Sequence, residues 1–210
     1  MKKLSKKLFI IAPCIIIFFI MGYVVIYNST YSIADNNKAE IQNALMQFIN
    51  RPKGVVYTKN LQVEQAVDID NKKYVIYMNT NAIGNFKFLG DGELIKGKNN
   101  KYKVDLASWG GQSTYLQNKI VETDKGNYLI VYGENYNKRI SYATVKLMND
   151  RDYYVKIPNE EYFIAYCSVP KEVKAEFPYG KEMKLYDKDN KDITKEINDV
   201  ISKINATTVD

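Results

Sequence analysis

The chain has 210 residues, with 30 Lys and Arg against 24 Asp and Glu, two Cys and no His. Without histidine there is no Ser-His-Asp or Cys-His catalysis and no His-ligated zinc. The formal charge of +6 does not describe a nucleic-acid surface: Lys2, Lys3, Lys6 and Lys7 all precede the first acid, Asp35, and the other 26 basic residues nearly balance the 24 acidic ones.

Those four lysines lead into Leu8–Tyr27, LFIIAPCIIIFFIMGYVVIY, twenty residues without a charge. At helical rise the run spans about 30 Å, the hydrocarbon thickness of a bilayer. Lysines beside a membrane helix stay in the cytoplasm. The expected layout is therefore a cytoplasmic tail over 1–7, a transmembrane anchor over 8–27, a tether over 28–34, and an extracellular remainder. Signal-peptide cores run about 7–15 residues. This longer run is expected to remain uncleaved despite the small residues of Ser32-Ile33-Ala34. Cys14 follows Pro13, with only five apolar residues between Pro13 and Lys7, which argues against lipid attachment. Cys14 and Cys167 are assigned to different compartments, so no disulfide joins them and the outer part folds on its hydrophobic core.

Beyond the tether, Ile41, Ala44, Leu45, Phe48 and Ile49 recur at helical spacing and predict a helix. Asp35 or Asn36 is the expected cap, and Asn50 and Pro52 the stop. From Val55 to about Asp187 the period becomes two. Tyr74, Ile76 and Met78 alternate with Val75 and Tyr77, both sets apolar. Tyr102, Val104 and Leu106 predict an inward face opposite Lys101, Lys103 and Asp105. Tyr128–Tyr132 is apolar on both faces and predicts a central strand. Further strands are predicted around Ala143–Leu147, Tyr153–Ile157, Tyr162–Cys167, Val173–Phe177 and Met183–Leu185. Turns are expected at Asp70-Asn71, Gly90-Asp91-Gly92, Asn99-Asn100, Asp124-Lys125-Gly126, Asn149-Asp150, Pro158-Asn159, Pro178-Tyr179-Gly180 and Asp189-Asn190. Ile197, Val200, Ile201 and Ile204 predict a last helix, capped by Asp192 or Thr194.

Many short strands at close spacing predict an antiparallel sheet or sandwich in a mainly β, α+β region, with one helix before and one after the strands. The loop Ala107–Tyr115 divides the series into 35–116, a helix plus antiparallel sheet, and 117–210, a sandwich-like part with the C-terminal helix.

No motif for a cofactor, metal or catalytic centre is present, and none is expected. Asp187, Asp189, Asn190 and Asp192 loosely match a calcium loop, but Lys191 takes a ligand position, so a turn is expected. Cys167 is in phase with Phe163 and Ala165 and is expected in the core. Glu160 and Glu161 are adjacent and, in a strand, point apart. The nominated binding loop is Trp109, Gly110, Gly111, Gln112 and Ser113: the only tryptophan, beside two glycines that allow close backbone approach. Folding back over the sheet edge is the competing role for Trp109. Tyr132, Tyr136 and Tyr142 are the second place to look.

The run VYGENYNKRISYATVKL, then DYYVKIPNEEYFIAY and KLYDKDNKDI, resembles the C-terminal sandwich of uncharacterised membrane-anchored extracytoplasmic proteins of low-GC Gram-positive bacteria. The matching positions are Gly133, Asn135, Ile140, Val145, Phe163, Tyr186 and Asp187. The resemblance implies a sandwich outside the cell membrane and implies no activity. Residues and resemblance together lead to the expectation of a single-pass, extracellular binding or scaffold module, non-enzymatic, whose partners are the membrane through Leu8–Tyr27 and a protein or cell-wall component, with no nucleic acid. The alternatives are an envelope hydrolase using carboxylates and an accessory subunit of a membrane complex.

Overall fold

The computed structural model describes residues 2–52, 57–81, 87–108, 116–148, 150–173 and 182–207, with side chains from residue 15 onward in the first helix and up to residue 204 in the last. Helix α1 (Lys2–Thr30) is followed by α2 (Lys38–Ile49), ten strands and α3 (Thr194–Thr207). The strands are β1 (Thr58–Ile69), β2 (Lys72–Asn81), β3 (Lys87–Lys96), β4 (Tyr102–Ala107), β5 (Leu116–Glu122), β6 (Asn127–Glu134), β7 (Tyr142–Lys146), β8 (Asp152–Lys156), β9 (Tyr162–Val169) and β10 (Glu182–Tyr186). Every pairing is antiparallel. The first sheet has the order β1-β2-β3-β4, the second β5-β6-β9 and the third β10-β7-β8. The result is a mainly antiparallel α+β fold.

Strand alternation stacks these sheets. On β2, Val75 and Tyr77 join Ile41, Leu45 and Ile49 of α2 in one core, whereas Tyr74 and Ile76 meet Ile130 and Tyr132 of β6 in a second. The other face of β6, Leu129 and Val131, meets Ala143, Val145, Val155 and Leu185 of the third sheet, with Ile197 of α3, in a third core. A strand apolar on both faces is thus a strand covered on both faces, and β6 is the middle strand of its sheet.

Three local expectations change. Gly90-Asp91-Gly92 is not a turn but the middle of β3. A Cβ on Gly90 would lie 2.5 Å from the Tyr77 ring, and one on Gly92 would lie 2.7 Å from Leu45, so these glycines make room for a ring and a helix. Leu106 faces solvent rather than the core. A bulge skips Asp105, pairing Glu93 with Leu106 and Leu94 with Val104, and the shift by one turns Ala107 inward instead. The cap of α2 is Asn37, whose side chain accepts from the Glu40 N–H; Asp35 is held elsewhere, by Lys73 at 3.1 Å. At α3, Asp192 accepts from the Thr194 N–H at 2.9 Å. The expected strand around Val173–Phe177 and the turn Pro178-Tyr179-Gly180 fall mostly outside the described residues.

Residues 28–34 are bound rather than loose. Ile33 and Tyr102 exchange two backbone hydrogen bonds, of 3.0 and 2.9 Å. Asn99 of the β3–β4 hairpin donates to the Asn28 side chain and to the Tyr31 carbonyl, each at 3.0 Å. Among the residues whose side chains are described, no helix is long and apolar enough to cross a membrane.

Candidate functional site

Trp109, Gly110, Gly111, Gln112 and Ser113 lie outside the described residues. The residue that leads into them is anchored. Ser108 Oγ donates to Asp91 Oδ1 at 2.5 Å, and its carbonyl accepts from the Tyr77 hydroxyl at 2.5 Å.

Asp91 belongs to a charged layer between the first and second sheets. Alternation puts Asp91 and Glu93 on the β3 face toward the second sheet, where Lys119 of β5 reaches both at 2.8 Å. Lys72 holds the other Glu93 oxygen at 2.9 Å, and the Tyr74 hydroxyl donates to Asp91 Oδ2 at 2.7 Å. Burial opposes ionisation of both acids. The Lys119 charge outweighs it, aided at Asp91 by Ser108 and Tyr74 and at Glu93 by Lys72, so both carboxyls sit below their ordinary range. Burial likewise opposes the Lys119 cation, and the two carboxylates overcome it and raise its pKa. These groups are held ionised and saturated, which suits a structural ion network rather than proton transfer.

Two other carboxyls move the opposite way. Glu64 and Glu134 are raised by burial first, and the Glu161 charge adds to each. Glu160 and Glu161 precede β9 in a turn instead of lying in a strand, and Glu160 accepts from Gln65 of β1. Among the described residues no group of carboxylates and Cys is arranged to hold a metal ion. Cys167 is half-buried against the third core, and burial raises its thiol.

Tyr132, Tyr136 and Tyr142 do not gather. Tyr132 is buried against the Tyr74 ring, with centroids 5.5 Å apart, and donates to Gln117 at 2.8 Å. Tyr136 packs between the second and third cores. Tyr142 is on the outer face of the third sheet, in a surface that sequence spacing did not reveal. That face is a grid set by register: Tyr186, Tyr142 and Lys156 in one row, Lys184, Thr144 and Tyr154 in the next, Glu182, Lys146 and Asp152 in the last. Tyr142 stacks on Tyr186 at 4.7 Å with planes 8° apart, and on Tyr154 at 4.8 Å and 33°.

Neighbouring strands are about 4.8 Å apart. The ring spacings match it, and Tyr142 and Tyr186 are half-buried within the row. Tyr154 is 57% exposed. Partial desolvation, then the Tyr186 and Tyr154 phenols and the Asp187 carboxylate, raise the Tyr142 pKa, so its hydroxyl stays a donor. The signal for this surface was present as alternating Tyr and Lys in three short strands, but only pairing brings the three rings together.

The ladder ends at a concavity of about 660 Å³. Its wall includes Lys138, Arg139, Lys156 and Lys188 against Asp187 and Asp189. Asn135 shapes the rim: its amide accepts from the Ile140 N–H at 2.8 Å and donates to the Ile140 carbonyl at 2.9 Å. Asn137 and Lys138 in that loop adopt left-handed backbone, with φ of 53° and 54°. Arg139 and Lys191 both hold Glu196 at the start of α3, and together they lower its pKa to about 2. No family model, no curated protein and no solved structure matches this chain.

Proposed function

We propose that this chain is a membrane-anchored, extracytoplasmic binding module without enzymatic activity, and that its binding surface is the outer face of the third sheet. The observation that carries this reading is the Tyr186–Tyr142–Tyr154 ladder beside a concavity where four cations face two carboxylates. A row of phenols offers hydroxyl donors at strand spacing, and the adjoining cations favour an anionic ligand. An extended, hydroxyl-rich polymer carrying phosphate or carboxylate fits that chemistry, and an outer-surface module would meet it in the cell wall. The anchor reading is supported by the uncharged run Leu8–Tyr27 and by the apolar side chains of Ile15–Ile26, which project uncovered from the helix.

The test is co-sedimentation of residues 31–210 with purified Gram-positive cell walls, before and after the anionic polymers are stripped off. Binding to intact walls and loss from stripped walls is the expected result. Equal binding to both, or none to either, would refute the proposed ligand class.

A further inference from the structure

The β3–β4 hairpin reaches back along α1 by one turn. The Lys98 N–H donates to the Tyr27 hydroxyl at 2.5 Å. Tyr31 fills the place a side chain on Gly97 would need, with its ring 2.6 Å from the position of that missing Cβ. Tyr27 stacks on Tyr31 at 4.7 Å and lies 6.0 Å from Tyr23. Helix end and hairpin are therefore one joined unit. Tyrosine rings at the end of an apolar helix occupy the headgroup level of a bilayer.

The same hairpin carries Lys96, Lys98, Lys101 and Lys103. Among the described residues none of the four forms an ion pair, whereas Lys72, Lys73 and Lys119 nearby all do. Lys98 and Lys101 are exposed. Lys103 sits over the Tyr31 ring at 5.3 Å and Lys96 over the Tyr102 ring at 5.8 Å, so the rings hold these two cations at the junction. Lys96 also lies in the field of Asp35, whose carboxylate is taken by Lys73. Tyr23 is one helical turn, about 5.4 Å, before Tyr27 along the helix. That distance is inside the reach of a lysine side chain and inside the Debye length of about 8–10 Å.

We propose that this hairpin is a lipid-binding collar: Lys96, Lys98, Lys101 and Lys103 bind the anionic headgroups of the bilayer that α1 enters and hold the β region upright against the membrane. The proposal rests on the anchor reading of α1. Clustered lysines beside a membrane helix are attracted to anionic lipid and released by salt.

The test uses the full chain in nanodiscs of phosphatidylcholine alone and of phosphatidylcholine with phosphatidylglycerol. A water-soluble amine reagent labels the lysines and mass spectrometry reads each site. Labelling of Lys98 and Lys101 is expected to fall about threefold or more in the anionic discs and to recover in high salt, while Lys138 and Lys188 stay unchanged. In a chain with Lys96 and Lys103 replaced by Gln, the fall in labelling at Lys98 and Lys101 in the anionic discs is expected to shrink. Equal labelling of Lys98 and Lys101 in the two discs would overturn the collar and leave the anchor standing. Failure of the chain to enter either disc would overturn both.

Discussion

Replacing Lys119 by Met keeps the side chain's volume and removes the charge that joins two sheets. Asp91 and Glu93 each lie 2.8 Å from the Lys119 ammonium and are among the few buried acids. After Lys119→Met, Asp91 keeps only neutral donors, Tyr74 and Ser108, and Glu93 keeps Lys72. Breaking a buried ion pair by deleting one partner costs about 3–5 kcal/mol. The expected loss at neutral pH is therefore about 3–5 kcal/mol, read by urea unfolding of residues 31–210 followed by circular dichroism.

The pH dependence separates this cause from simple packing loss. In the native protein Asp91 and Glu93 have lowered pKa values, so they stabilise the fold above their unfolded values, about pH 4. That stability disappears as the pH falls through the folded values. In the variant Asp91 loses its cation and keeps only neutral donors, so burial raises its pKa and protonation relieves the variant above about pH 4, where the parent's carboxylates are still ionised. The gap between the two proteins should narrow from pH 7 toward pH 4. At the alkaline end the parent's raised Lys119 pKa stabilises the fold fully below about 10.5, and that contribution fades as the pH rises through the folded value. A loss under about 1 kcal/mol at pH 7, or a gap independent of pH, would refute the view that this charge network ties the sheets.

Other consequences are simpler to read. Gly90→Ala should cost about 1–3 kcal/mol, because its Cβ would meet both the Tyr77 ring and the Ser108 carbonyl; Gly126→Ala, with nothing within 4 Å, should be nearly neutral, and equal melting temperatures would contradict the packing described. A fragment starting at Asp35 should be less stable than one starting at Tyr31 by about 1.5–3 kcal/mol, the burial of one isoleucine, since Ile33 is buried and pairs with Tyr102; identical urea midpoints would sink this. Cys167, the only cysteine of residues 31–210, should react with a thiol reagent far more slowly in the folded protein than in urea; equal rates would show that burial does not protect it.

Period and polarity made most strands legible, because a two-residue repeat needs no partner to be seen. The two-sided apolar runs of β2 and β6 also announced that both their faces would be covered. Signals that depend on a neighbour were lost. Gly90 and Gly92 read as punctuation because sequence does not show the ring and helix that need their space. The bulge at Asp105 defeated strict alternation, and Leu106 moved outward with it. Asp91 was expected in a turn, and nothing in the spacing singled out Glu93 or Lys119, because only packing encloses the three together. The tyrosine ladder is of the same kind: Tyr142, Tyr154 and Tyr186 are far apart in the chain and become one surface only through the register of three strands.

The ladder is therefore the feature to test most directly. Binding of residues 31–210 to the anionic wall polymer should be measured by calorimetry for the parent, for Tyr154→Ala, for Lys156→Gln and for Tyr166→Ala. Tyr154 and Lys156 are exposed on the ladder face, and Tyr166 is an exposed tyrosine of the second sheet paired with Tyr128. Loss of a central contact is worth about tenfold or more in affinity. Tyr154→Ala and Lys156→Gln should each weaken binding by about that factor, with unfolding midpoints unchanged, and Tyr166→Ala should bind like the parent. Full affinity in both ladder variants, or the same loss in all three, would contradict a binding surface on the third sheet.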